Sequence, residues 1–317
     1  MTTHFLDFER PIAEMEQKIS ELKRFSSSKE INISAEVDKI ETKMKKVQKD
    51  ILTKLTPMQR VQLSRHINRP YTEDYIKHIF KDFYELHGDR KYKDDRAIVG
   101  GIAKLNNETV VVIGHQKGRN TANKLLRNFG MAHPEGYRKA LRLYELAERF
   151  KKPIITFIDT PGAYPGIASE ERGIAEAIAT NLQRMVELKV PIIAVVIGEG
   201  GSGGALGLGV SNRVLMLEYS TYSVISPEAC SSILFKDGSK TEYVAEALKM
   251  APHNLLKFGI IEEIIKEPKG GAHKDHLKAA QNLKKAIVKH LDELGKLSVA
   301  DLLEDRYEKF RKIGKTK

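Results

Sequence analysis

The chain has 317 residues, with 53 Lys plus Arg against 42 Asp plus Glu for a formal net charge of +11, and a mean hydropathy of -0.37. This length supports one large core with an appendage or two domains, and no apolar run is long enough to cross a bilayer, so a cytoplasmic protein without membrane contact is expected. Cys230 is the single cysteine, which excludes an internal disulfide and a self-contained zinc ribbon. The positive charge is dispersed without a polybasic block, so polyanionic partners are expected but nucleic acid is not expected to be the main one.

Apolar residues recur at three and four spacing through Ile12, Met15, Ile19 and Leu22, and again through Val37, Ile40, Met44, Val47 and Ile51. With Ser26-Ser27-Ser28 as the break and Ser34 as an N-cap, this predicts an antiparallel helical hairpin. Thr56-Pro57 starts a further helix, and Arg69-Pro70 marks a boundary where the core domain is expected to begin. Thr72 should cap a helix running from Tyr75 to Tyr84 and ended by His87-Gly88. Residues 97–105 and 109–114 read as a hairpin turned at Asn106-Asn107. The polar, cationic stretch His115 to Asn120 follows directly and could receive a phosphate or a carbonyl.

Helix 134–151, strand 153–160, helix 168–189 and strand 190–197 then alternate, which implies parallel strands joined by right-handed crossovers. Short strands are expected over 213–217 and 222–225, a turn at Ser226-Pro227-Glu228, and helices over 242–250, 252–258, 275–294 and 298–313, the last capped by Ser298.

The run from Gly198 to Gly209, GEGGSGGALGLG, is the centre of this pattern, with seven glycines in twelve positions after a β-branched strand. Glycine lets other groups approach the backbone closely. A short helix after Gly204 would leave the amides of Gly203 and Gly204 unpaired at its start, which makes an anion or oxyanion site. Three short motifs overlap here. Gly198, Gly200 and Gly203 satisfy G-x-G-x-x-G with Glu218 at the distance of a ribose-binding acid, but no crossover helix of several turns follows. Asp159-Thr160-Pro161-Gly162 resembles a GTPase switch without the phosphate loop that should precede it. Gly200, Ser202 and Gly204 spell G-x-S-x-G, and Asp237 with His253 or His273 could complete a serine hydrolase, which is the alternative function. The histidines show no metal spacing and read as packing or surface residues.

Longer motifs carry a resemblance. FLDFERPIAEME at Phe5 to Glu16, RPYTEDY at Arg69 to Tyr75, GHQKGR at Gly114 to Arg119, ITFIDTPGAYPG at Ile155 to Gly166, IGEGGSGGALGLG at Ile197 to Gly209 and KEPKGGAH at Lys266 to His273 resemble the alpha subunits of bacterial acetyl-CoA carboxylase carboxyltransferases. The family belongs to the crotonase superfamily. The resemblance implies an α/β spiral of strand-strand-helix units for the carboxyltransferase domain, expected over 69–295; the helical arm over 1–68, with a narrow apolar seam and no glycine-rich motif, is expected to hold subunits together, and 296–317 is expected as a C-terminal helix. It implies transfer of a carboxyl group from carboxybiotin, held on the biotin carboxyl carrier protein, to acetyl-CoA, giving malonyl-CoA for fatty acid synthesis. The implied partners are biotin carboxylase and a zinc-bearing beta subunit in an alpha2-beta2 heterotetramer, with no metal in this chain. Its oxyanion donors fall on Gly203 and Gly204, with a shift to Gly204 and Ala205 left open. Gly162, Ala163, Gly200, Gly201 and Ala205 are the expected substrate-binding positions.

Overall fold

The computed structural model describes residues 4–29 and 33–315. Its strands are β1 (Lys81–Glu85), β2 (Ile98–Leu105), β3 (Glu108–His115), β4 (Ile154–Thr160), β5 (Ile192–Gly201), β6 (Arg213–Leu217), β7 (Thr221–Ser223) and β8 (Glu263–Ile265). They form one mixed sheet in the order β1-β2-β3-β4-β5-β6-β8, with β7 also on β5. β1, β2 and β3 pair antiparallel, and every pairing from β3 onward is parallel.

Successive residues of the central strands face opposite ways, and both faces are covered, so these strands read as unbroken apolar runs. Ile154, Ile158, Ile192, Ala194 and Val196 join Tyr137, Leu143, Tyr144 and Met185 in one core. Ile155, Phe157, Ile193, Val195 and Ile197 join Tyr75, Ile79, Leu283 and Ile287 in the other. The helices Pro134–Arg149 and Ile174–Glu187 therefore lie on one side of the sheet, and Thr72–Ile79 and His276–Leu294 on the other.

β5 is the longest strand and changes partner along its length. Ile193 to Val196 pair with β6, and Glu199 to Gly201 pair with β7. On its other side the register to β4 shifts, with Ile158 opposite Val196 but Thr160 opposite Gly200. The two strands thus diverge as they leave the core, at the end of a parallel sheet where ligands commonly bind.

Several expectations need correction. The predicted helix from Tyr75 to Tyr84 ends at Ile79, and Phe83 and Tyr84 belong to β1; alternating exposure there defeats the helical reading. The predicted helix 168–189 is two helices, Ile167–Glu171 and Ile174–Glu187, parted at Gly173, whose φ is +78°. Ser226 caps a helix, Pro227–Leu234, where only a turn was expected. Helix Arg10–Lys29 runs through Ser26-Ser27-Ser28, so those residues are not the loop; the connection to Ser34–Thr53 includes positions outside the described residues. Ser34 is the first helical residue, one place after the N-cap Ile33.

The ends of the fold are tied by buried arginines. Arg69, 1% exposed, donates to both carboxylate oxygens of Glu267 and to Ile197 O. Arg306, 0% exposed, donates to the carbonyls of Met185, Leu188 and Val190 and to Asn212 Oδ1. It closes the C-terminus of helix Ile174–Glu187, whose last carbonyls have no helical partner. Burial pushes the Arg306 guanidinium down to about 10, against the nearby charges of Asp305 and Glu148.

Candidate active site

The glycine run leaves β5 and turns into a helix of one and a half turns, Ser202–Leu206, with Gly201 as its N-cap. Each glycine that faces β4 does so because a side chain would collide there. A Cβ on Gly198 would lie 2.5 Å from Asp159 Oδ1; one on Gly201 would overlap Pro161 O, and one on Gly204 would overlap the Gly162–Ala163 peptide. Gly201 and Gly204 are thus seated backbone to backbone on the loop that follows β4, and Gly198 against the Asp159 side chain within β4. Gly203 differs. A Cβ there would have Ile178 at 3.8 Å as its nearest contact, and the residue is partly exposed.

This changes the physical reason for the glycines. Gly201 and Gly204 are required by the approach of the second loop and Gly198 by the Asp159 carboxylate, and none of them has a left-handed φ. The left-handed residue in the run is Ser202, with φ +55° and an exposed position. A non-glycine residue held there stores backbone strain of the kind found at functional turns. Among the described residues, the amides of Gly203 and Gly204 donate to no carbonyl or side chain. Gly203 is partly exposed and Gly204 buried beneath it, and two adjacent free N–H groups at such a turn can receive an oxyanion.

The facing loop is fixed from both sides. Thr160 Oγ1 donates to Gly162 O at 2.7 Å and accepts from Gly162 N at 3.1 Å. Tyr164 N donates to Ala132 O, and the Tyr164 ring packs 4.2 Å from His133, whose Nδ1 lies 2.6 Å from Ser169 Oγ. Of the expected site residues, Gly162, Ala163, Gly201, Gly203 and Gly204 therefore meet at one place. Gly200 faces the Tyr222 ring instead, and Ala205 is fully buried in the core.

The polar stretch after β3 is not an open anion cradle. Lys117 Nζ is 2.7 Å from Asp159 Oδ1 and 3.8 Å from Glu199 Oε2. Burial pulls the Lys117 ammonium down, but the two carboxylates outweigh it and its pKa is raised. Arg119 donates to Ile67 O, Arg69 O and Asp74 and lies over the Tyr71 ring. His115 is fully buried, and burial together with the charge of Lys117 pushes it down to about 3, against the backbone groups of Phe157 and Gly204, so the ring is neutral.

The serine hydrolase arrangement does not form. Asp237 is engaged with Ser239, His273 bonds Glu9, and among the described residues Ser202 Oγ has no histidine partner. What sequence reading misses is a buried cluster of Glu9, His66 and His273, with ligand-type atoms within 4.8 Å of one another. His66 Nδ1 accepts from Asn68 N, which leaves the proton on Nε2 to face His4 O at 3.1 Å. The His66 and His273 rings stack at 4.2 Å, and His273 Nε2 lies 3.1 Å from Glu9 Oε1. The cluster ties the first residues of the arm to the body through hydrogen bonds. Its members lie 57 or more positions apart, and no local pattern announces them.

A family model described as acetyl co-enzyme A carboxylase carboxyltransferase-like matches residues 5–314. The chain is 59% identical over 310 residues to the acetyl-coenzyme A carboxylase carboxyl transferase subunit alpha of Geobacter metallireducens, covering 98% of this chain and 97% of that protein. It is 57% identical over 315 residues to the protein of that name from Coxiella burnetii, covering 99% and 100%. Among solved structures, a Pseudomonas malonate decarboxylase hetero-tetramer in complex with coenzyme A aligns with TM-score 0.55 and 16% identity over 68% of this chain and 86% of that one. The beta subunit of Pseudomonas aeruginosa geranyl-CoA carboxylase aligns with TM-score 0.55 and 15% identity over 75% and 43%. The expected crotonase-like α/β fold is the fold observed.

Proposed function

This chain belongs to the acetyl-coenzyme A carboxylase carboxyltransferase family as an alpha subunit, and we propose that it receives carboxybiotin at the backbone amides of Gly203 and Gly204. The observation that carries this reading is the pair of unpartnered N–H groups at the turn after β5, beside the partly exposed Gly203. The carboxylated cofactor supplies the carboxyl group and, as that group leaves, an oxygen on which negative charge develops. Amides already aimed at that oxygen lower the barrier without reorganising, a contribution of about 3 kcal/mol per donor. Gly162 and Ala163 hold the turn from below, while Gly200, Gly201 and Ala205 set its backbone from within the strand and the core.

The same reading assigns the carboxyl acceptor, acetyl-CoA, to a site shared with a beta subunit in an alpha2-beta2 heterotetramer, with zinc on that subunit. The biotin carboxyl carrier protein and biotin carboxylase complete the enzyme in the cytoplasm. No helix among the described residues is long and apolar enough to cross a membrane. Exposed apolar side chains support a subunit role: Val224, Ile233, Leu234 and Tyr243 are each at least 66% exposed, an arrangement expected where a partner covers the surface. The arm and the segment before Arg69 (1–68) act as a second contact region, the core domain runs over 69–295, and 296–317 is the closing helix.

The test is reconstitution. The purified chain alone should make no malonyl-CoA from acetyl-CoA and a carboxybiotin donor, and activity should appear on adding the beta subunit. Robust turnover by the isolated chain overturns the shared-site reading.

A further inference from the structure

The turn after β5 and the loop after β4 are fastened below the candidate site by a buried chain of charges that the oxyanion reading does not use. Where the β4–β5 ladder shifts register, between Ile158 and Thr160, the carboxylate of Asp159 takes the place of a ladder carbonyl. Its Oδ1 accepts from Glu199 N at 3.0 Å and from Lys117 Nζ at 2.7 Å. The Glu199 side chain turns toward Arg65, whose Nε donates to Oε1 at 2.8 Å, and Arg65 Nη1 reaches Glu228 Oε1 at 2.7 Å. Asp159 side chain is 3% exposed, Glu199 10% and Lys117 15%. Tyr71 and Arg69 also face this group electrostatically.

Asp159 stands two residues before Pro161, and Glu199 two residues before Gly201, the pair whose backbones touch. The ion pair therefore joins the roots of the two loops whose tips meet at Gly162 and Gly204. Gly198 is glycine because the Asp159 carboxylate lies against its Cα. In a low-dielectric site such a chain is strong when complete and costly when one member is lost.

We propose that Asp159 and Lys117 are positioning residues for carboxyl transfer: they set the spacing of the two loops and so the direction of the Gly203 and Gly204 amides. This rests on the oxyanion reading above. A misdirected donor weakens the transition state more than the ground state, so the effect belongs in kcat.

The test uses the reconstituted alpha-beta complex, isolated by size and assayed per mole of complex. Asp159→Asn keeps shape and the Glu199 hydrogen bond but loses the charge, and it is expected to lower kcat about tenfold with KM for acetyl-CoA within twofold of wild type. Lys117→Met strips Asp159 of its cation while Glu199 keeps Arg65, and it is expected to lower kcat at least as far as Asp159→Asn does, with KM for acetyl-CoA again within twofold of wild type. Gly204→Val is the reference and should be inactive. An inactive Gly204→Val beside an Asp159→Asn with wild-type kcat overturns the positioning proposal alone. A fully active Gly204→Val overturns the oxyanion reading beneath it. Loss through KM, or a Lys117→Met variant with wild-type kcat, assigns the ion pair to structure only and also overturns the proposal.

Discussion

An ion pair of the body and one of the helical arm of this protein use charge in opposite ways. In the body, Arg69 and Glu267 form an ion pair with side chains 1% and 0% exposed, and burial lowers the arginine while Glu267 restores and raises it. In the arm, Lys23 and Glu41 join helices Arg10–Lys29 and Ser34–Thr53 at 3.2 Å with 61% and 32% exposure. Charges that water can reach tolerate the loss of a partner, and charges sealed under a sheet do not. The Arg69–Glu267 pair fixes the spacing of two segments of the body, and the Lys23–Glu41 pair lies on the surface of the arm.

Removing one partner from each pair should make that difference measurable. Arg69→Met strands Glu267 and leaves Ile197 O without its donor, so a loss of about 3–5 kcal/mol is expected. Glu41→Gln should cost no more than about 1 kcal/mol. Chemical denaturation of the two variants side by side reads the contrast, and equal losses would break it.

The arm's apolar seam is the next test. Of its residues Ile12, Ile19 and Val37 are buried in this chain alone, whereas Ile40 and Val47 are half-exposed. A half-covered seam on a long helix suits a contact completed by another subunit. Ile40→Asp with Val47→Asp should lower the mass of the reconstituted complex at micromolar concentration, because a charge entering such a contact costs several kcal/mol (roughly 2–7) unless it escapes to water. An unchanged mass with full activity would make the arm a solvated hairpin.

A smaller effect lies in the joint between the two regions. Burial, followed by the charge of His273, pushes His66 down to about 4, against the attraction of Glu9. The neutral folded histidine therefore contributes stability that is complete above pH 6.5 and is lost as pH falls toward 4. Glu9 has the same sign. Burial raises it, but the His273 hydrogen bond, the Leu6 amide and the neighbouring charges together lower it, so its contribution is lost in more acidic solution. Arg69, His273 and Glu9 are the charged groups facing His66. Hydrogen-exchange protection in residues 10–20, taken relative to the intrinsic amide rate at each pH, should fall between pH 6.5 and 4.5 before that of the central strands. Exchange in both regions at one pH would show that the joint does not open separately.

The two regions were also unequally legible in the sequence. Strands β3, β4 and β5 are visible because both their faces are buried, and the helix caps at Thr56 and Ser298 follow local hydrogen-bond chemistry. The helix predicted through Tyr84 failed because Phe80, Phe83 and Tyr84 satisfy a helical spacing while β2 supplies strand partners far along the chain. At the candidate site the glycine run was visible, but not its reason. Periodicity cannot reveal that Gly198 faces the Asp159 side chain in β4 and that Gly201 and Gly204 face two points on the loop after it. The charges beneath them, Arg65, Lys117, Asp159 and Glu199, come from four separate segments, and only folding brings them together.

The smallest expected effect is at the residue that sequence motifs single out most strongly. Ser202 lies at the centre of G-x-S-x-G, is exposed, and has a left-handed backbone, as a nucleophile on a tight turn would. Yet its Oγ has no hydrogen-bonded base among the described residues, while the turn's free amides belong to its neighbours. Ser202→Ala preserves every N–H, and alanine meets the same left-handed strain as serine, so both the turn and its energy stay nearly as they are. The reconstituted complex carrying Ser202→Ala should retain more than about a third of wild-type kcat, since the loss of one surface hydroxyl is within roughly 0.5 kcal/mol of neutral. Ser202→Gly, which relieves the strain, should raise thermal stability slightly while keeping activity. An inactive Ser202→Ala with normal assembly would return the chemistry to the hydroxyl and remove the ground for assigning it to the amides of Gly203 and Gly204.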